Sequence, residues 1–219
     1  MTFIHTNTEE SKQRESIVEF GSSLFSRGLT AGSSGNLSVK LDDGWLLTPT
    51  NASLGRLDPA TLTKLDFAGN TISGQQPSKE AFLHQAMYQV RPQARGIVHL
   101  HSTYSAAVSC MCGLNQDSCI PPLTPYFVMK IGRLPLAPYH RPGDTALSKV
   151  IEQLAQKHSA VLLANHGPVV SANSLESAVN AAEELEETAK LFLLLQNSQT
   201  KPLDDAQIED LKKHFQLNL

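Results

Sequence analysis

Two histidines two residues apart in a short apolar run, Gly96-Ile97-Val98-His99-Leu100-His101, are the residues of this chain best placed to do chemistry. Alternate side chains of an extended strand share a face, so His99 and His101 project to one side with their rings close together. A second apolar run, Ala160-Val161-Leu162-Leu163-Ala164, ends in Asn165-His166-Gly167-Pro168 and sets a third imidazole at a strand end before a sharp turn. Three neutral imidazoles with an open fourth position describe a catalytic zinc site rather than a closed structural one. A lone buried histidine more often just hydrogen-bonds to the backbone. Two on one apolar strand face gain nothing by packing and lose hydration, and the third strengthens the case. His5, His84, His158 and His214 fall in polar or helical stretches and read as solvated side chains, while His140 stays ambiguous.

Three polar segments accompany the histidines. Thr30-Ala31-Gly32-Ser33-Ser34-Gly35-Asn36 and Thr48-Pro49-Thr50-Asn51-Ala52-Ser53 are rich in small residues whose backbone N–H groups and hydroxyls suit a phosphate, although such loops more commonly serve as plain connections. Pro77-Ser78-Lys79-Glu80 is more pointed. Ser78 caps a helix whose positive end attracts anions, and Lys79 adds a full charge. Glu80, in the first turn, either complements the helix dipole or serves as a metal-site carboxylate and proton carrier.

The elements that must position these groups follow from the apolar periodicity. Ile17, Val18, Phe20, Leu24 and Phe25 predict a helix ending near Gly28, and strands at 36–39 and 44–49 flank an Asp42-Asp43-Gly44 turn. A helix opened by Ser78 carries Phe82, Leu83, Ala86, Met87 and Val90 and stops at Pro92. Ser102 and Asp144 are expected to cap two more, ending near Gly113 and Lys157. A long Ala-, Leu- and Glu-rich helix runs from Ser174 to about Gln196, and a final amphipathic one from Asp204 to Phe215. Alternating strands and helices predict one mixed α/β domain over residues 1–219. A net charge of −3 offers no footprint for nucleic acid or anionic membrane. With no apolar stretch of membrane-spanning length and a polar start, the expected location is cytoplasmic. Cys110, Cys112 and Cys119 read as reduced thiols.

Taken together, Gly35-Asn36-Leu37-Ser38, Leu47-Thr48-Pro49-Thr50, Ser78-Lys79-Glu80, His99-Leu100-His101 and Asn165-His166-Gly167 resemble, in order and spacing, the class II aldolase family of zinc enzymes, from about Ser11 to Leu195. The family includes fuculose-phosphate aldolase and ribulose-phosphate 4-epimerase. The resemblance implies a three-layer α/β/α sandwich with a central, mostly antiparallel sheet, and a homotetramer with active sites between subunits. It implies zinc, one per subunit, on His99, His101 and His166, with Glu80 as a metal-site carboxylate that also moves protons. Asn36, Thr50, Asn51 and Ser78 match positions that cradle the substrate phosphate. Tyr126, after Ile120-Pro121-Pro122-Leu123, matches a tyrosine that donates a proton into a neighbouring subunit's site.

Lys79 stands where the aldolases carry a second serine, and Asn51 where they carry a glycine. The added charge suits a substrate bearing a carboxylate as well as a phosphate. Together with Asn51-Ala52-Ser53-Leu54-Gly55-Arg56-Leu57 and Pro138-Tyr139-His140-Arg141-Pro142-Gly143-Asp144, it makes the chain most similar to the branch of 3-oxo-tetronate 4-phosphate decarboxylases. That branch implies loss of carbon dioxide through a metal-bound enediolate, giving dihydroxyacetone phosphate in sugar-acid catabolism. A fuculose-, rhamnulose- or ribulose-phosphate aldolase or 4-epimerase is the alternative. A non-catalytic module like the adducin head domain is the remote one, because adducin lacks the zinc ligands present here.

Overall fold

The computed structural model describes residues 8–217. Its helices are α1 (Glu9–Ser26), α2 (Ala81–Val90), α3 (Thr103–Ser109), α4 (Pro125–Lys130), α5 (Leu147–Ala155), α6 (Leu175–Leu194) and α7 (Asp205–Phe215). Its strands are β1 (Asn36–Lys40), β2 (Trp45–Leu47), β3 (Thr63–Leu65), β4 (Thr71–Ser73), β5 (Gly96–His99), β6 (Leu136–Ala137), β7 (Ala160–Leu163) and β8 (Gly167–Ala172). They form one sheet in the order β4-β3-β2-β1-β5-β8-β7-β6, antiparallel throughout except for β6 beside β7.

Strand alternation divides the core into two layers. Leu37 and Val39 of β1, Leu46, Val98 and Val170 turn to one face and pack with Ile17 and Leu24 of α1 and Leu185 of α6. Trp45, Leu47, Ile97 and Val169 turn to the other, against Leu83 and Met87 of α2 and Ile151 of α5. Each face of the sheet must be covered to keep its apolar side chains from water, and helices on both sides do so. The result is the α/β/α sandwich the family resemblance implies. Antiparallel pairing sets Asn36 opposite His99 and Ser38 opposite Ile97, on the face that α2 covers.

Several boundaries differ from expectation. The α2 helix begins at Ala81, not after Ser78, because residues 78–80 close a turn in which the Ser78 carbonyl accepts the Ala81 N–H at 3.1 Å. Ser78 Oγ still accepts the Glu80 N–H at 3.3 Å. Asp144 likewise precedes α5 rather than capping it directly, its Oδ1 accepting the Ala146 N–H. The α4 helix and strands β3, β4, β6 and β8 escape the sequence reading, although Thr124 before Pro125 is a cap followed by an N1 proline. His84 is a correction of substance. Far from being solvated, it is fully buried between α2 and the sheet. His158 is half-buried, His214 is exposed, and His5 lies outside the described residues.

Candidate metal centre

Three separate pieces of backbone converge at one end of the sheet. His99 is the last residue of β5, and His101 lies just beyond the strand rather than in it. His166 occupies the tight turn between β7 and β8, where Asn165 adopts a left-handed conformation, φ 55°. Ser109, at the end of α3, clamps that turn: its carbonyl accepts the Asn165 N–H at 3.0 Å and its hydroxyl the His166 N–H at 3.1 Å. Glu80 enters from the start of α2.

The ligand atoms of Glu80, His99, His101 and His166 all lie within 4.8 Å of one another. Nε2 of His101 is 3.1 Å from Nε2 of His99 and 2.8 Å from Nε2 of His166. The Glu80 carboxylate spans the other two, Oε2 at 3.3 Å from His99 Nε2 and Oε1 at 3.2 Å from His166 Nε2. His99 Nδ1 donates to the Pro168 carbonyl at 2.9 Å, which fixes the neutral ring's tautomer and turns the Nε2 lone pair toward the cluster.

The electrostatics agree with this arrangement. Burial disfavours the charged form of Glu80, but His99 and His166 outweigh it and hold the carboxyl well below the usual carboxylate range. Burial likewise opposes charge on His99, and the facing Glu80 more than offsets it, so that its pKa is raised. His101 is pushed down to about 4, by burial first and then by its two imidazole neighbours. Three ring nitrogens crowded this closely cannot all satisfy one another by N–H···N bonds while one lone pair is already committed inward. A divalent cation removes the conflict, and three imidazoles with one carboxylate form a donor set that fits it.

Of the other expected site residues, Asn36 and Ser78 join the cluster. Asn36 Nδ2 donates to Glu80 Oε2 at 2.9 Å and to Ser78 Oγ at 3.3 Å. The Thr50–Asn51 loop adjoins them: Pro49 bridges Pro77, and the Thr50 N–H donates to the Gln76 carbonyl at 3.0 Å. Asn51 is exposed in a left-handed conformation, φ 59°. Lys79 is exposed and makes no ion pair among the described residues. Tyr126 is not brought to the cluster by the fold of this chain. It is exposed on α4, which packs with α6 on the opposite face of the sheet from α2. His140 pairs with Asp144 at 3.5 Å.

Sequence reasoning missed three supports. Ser109 is one. Glu186 of α6 is another, buried and accepting the Tyr104 and Ser105 N–H groups and the Ser105 hydroxyl, so that it caps α3 directly after the His99-Leu100-His101 segment. His84 is the third, and its spacing of four from Glu80 was a readable signal.

The chain matches the family described as Class II Aldolase and Adducin N-terminal domain over residues 15–193. It is 46% identical over 213 residues to the 3-oxo-tetronate 4-phosphate decarboxylase of Pectobacterium atrosepticum, covering 94% of this chain and 98% of the relative. The L-fuculose phosphate aldolase of Escherichia coli is 33% identical over 187 residues, 84% of either chain. The crystal structure of YgbL from Klebsiella pneumoniae superposes with a TM-score of 0.91 at 47% identity, over 93% of this chain and 99% of that one.

Proposed function

This chain belongs to the class II aldolase and adducin N-terminal domain family, and on that premise we propose that it is a metal-dependent carbon-carbon lyase that decarboxylates 3-oxo-tetronate 4-phosphate. The observation that carries the reading is end-to-end similarity to a decarboxylase, 46% against 33% for the aldolase, in a chain that gathers His99, His101, His166 and Glu80 into one cluster. Zinc is our choice of metal, since imidazole and carboxylate donors suit it. Held by the three histidines, it would supply Lewis-acid polarisation of the substrate's ketone.

The chain's own residues account for the rest. The substrate is a β-keto acid with a hydroxyl between carboxylate and ketone. Asn36, Ser78 and the Thr50–Asn51 loop hold the phosphate, and Lys79 meets the carboxylate. Breaking the bond to the carboxylate releases carbon dioxide and leaves the bonding pair in an enediolate. Protonation at the carbon that lost the carboxylate then gives dihydroxyacetone phosphate. Glu80 is ionised in the site as it stands, so it must accept a proton before it can donate one. In this reading the substrate hydroxyl is the source, and Glu80 returns that proton to carbon. Tyr126 from a neighbouring subunit reprotonates oxygen and recovers its own proton from solvent, the one proton the reaction consumes; this requires an oligomer, and we read a homotetramer. We also read residues 1–219 as one domain, and the protein as cytoplasmic. Among the described residues no helix is long and apolar enough to cross a membrane.

The test is product analysis. With 3-oxo-tetronate 4-phosphate, carbon dioxide and dihydroxyacetone phosphate should appear, and in heavy water one deuterium should enter the new methylene. Glu80→Gln should slow turnover by about two to four orders of magnitude. Faster cleavage of fuculose 1-phosphate under matched conditions would make the enzyme an aldolase instead.

A further inference from the structure

Glu80 is tied to a buried polar chain that the reaction above leaves unused. Its Oε2 accepts from Asn36 Nδ2 at 2.9 Å, and Asn36 Oδ1 lies 2.5 Å from His84 Nε2. His84 Nδ1 is 2.6 Å from Ser38 Oγ, which is 2.9 Å from the Tyr88 hydroxyl. The ladder follows from two periodicities. Asn36 and Ser38 are alternate residues on one face of β1, while Glu80, His84 and Tyr88 recur every four residues along the start and body of α2. Asn36, Ser38 and His84 are at most 3% exposed, so bulk water cannot replace the bonds that His84 makes to Asn36 and Ser38. Trp45 stacks on the His84 ring at an interplanar angle of 10° and holds its plane.

The direction of every bond is dictated from one end. An ionised carboxylate only accepts, so Asn36 turns its amide nitrogen to Glu80 and its carbonyl to His84. His84 must then donate from Nε2 and accept at Nδ1 from Ser38, which in turn accepts from Tyr88. The opposite tautomer would set the Nε2 lone pair against Asn36 Oδ1 and favour a flipped amide, presenting a carbonyl to the carboxylate. Burial reinforces the neutral ring, pushing the His84 pKa down to about 3.

We propose that His84 is a positioning residue: through Asn36 it holds the Glu80 carboxylate in the orientation in which one oxygen faces His99 and the other His166. This rests on the reading of Glu80 as the group that moves the proton. It also gives Asn36 a task besides holding phosphate: its carbonyl and one amide hydrogen serve His84 and Glu80. The other amide hydrogen, which reaches Ser78 Oγ at a long 3.3 Å, is the one a phosphate oxygen can take over.

The test compares His84→Gln with His84→Met. The two side chains have nearly the same length and differ in whether they can donate to Asn36 Oδ1. In the metal-loaded enzyme, His84→Met should lower kcat about 10- to 100-fold, a fraction of a positioned proton carrier's full worth, with KM changed less than about threefold. His84→Gln should recover most of that loss. Without substrate, Co²⁺ competed against a chelator should bind His84→Met about tenfold more weakly than wild type, and His84→Gln nearly as well as wild type. In wild-type protein, ¹⁵N imidazole spectra should show His84 as the Nε2–H tautomer. Equal losses in the two variants would reduce His84 to a packing residue, and an Nδ1–H tautomer would overturn the proposal outright. Should wild type fail to turn over the substrate, the proposed function falls while the Co²⁺ comparison and the tautomer still decide this inference. Should His84→Met not fold, the wild-type tautomer decides it.

Discussion

A methyl group on Gly167 would sit 2.3 Å from the Leu100 carbonyl oxygen and 3.4 Å from the His101 Cα. Ordinary C···O contacts begin near about 3.3 Å, so Gly167→Ala forces the β7–β8 turn and the segment after β5 apart by about 1 Å. The methyl is fixed in place by the Gly167 backbone and the atom it meets is backbone too, so no side-chain rotation relieves the clash. His166 precedes Gly167 and His101 follows Leu100, so the displacement falls on two ring nitrogens now 2.8 Å apart. Metal sites tolerate ligand displacements of only about 0.2 Å. We therefore expect metal affinity to fall by about 10- to 100-fold, as when a residue supporting a ligand is lost. The metal-free protein should lose about 1–3 kcal/mol of stability to overpacking. Chelator competition reads the first and denaturant unfolding the second. Gly113→Ala is the control: its methyl meets nothing within 4 Å, but φ is +75° there, so it should cost about 1–2 kcal/mol and leave metal affinity unchanged. A Gly167→Ala protein that binds metal as wild type does would refute the claim that close backbone approach holds the site together.

Three further outcomes are expected. Purified protein should carry about one divalent metal per subunit, and the double variant His99→Ala, His101→Ala should carry almost none by elemental analysis while keeping its circular dichroism spectrum. Lys79→Ala should raise KM by about one to two orders of magnitude, the worth of a charge-assisted hydrogen bond, and an unchanged KM in steady-state kinetics would remove Lys79 from the substrate site. His84 has a pKa of about 3 in the folded chain against 6.5 ordinarily, so below pH 6.5 the unfolded chain binds the extra proton and stability falls with pH. Between pH 7 and 4.5 the metal-free wild type should lose about 2–3 kcal/mol more than His84→Gln in urea titrations, since the other titrating groups are common to both.

The chemistry was legible in the chain because it resides in residue types at fixed local spacing. His99 and His101 two apart and Asn165-His166-Gly167 at a strand end pick out a candidate ligand set without reference to any contact, and the family resemblance adds Glu80 at a helix start. The long helices were legible for the same reason, each carrying its own apolar period and caps: Ser174 and Asp204 both accept the expected backbone N–H groups. Short elements were not. Strands of two or three residues such as β3, β4 and β6 have too little sequence to show a period, and they exist because a neighbour supplies their hydrogen bonds. Tertiary structure alone decided what surrounds the ligands. His84 looks like any polar helix residue until β1 lays Asn36 and Ser38 against it, and Glu186 looks like a solvated glutamate until α3 points its free N–H groups at it. The physical reason is one of range. Coordination chemistry is written in side-chain type, whereas the orientation of a ligand depends on hydrogen bonds between residues some 40 to 80 positions apart, such as Asn36 with His84 and Tyr104 with Glu186, which only the packed sheet brings within 3 Å.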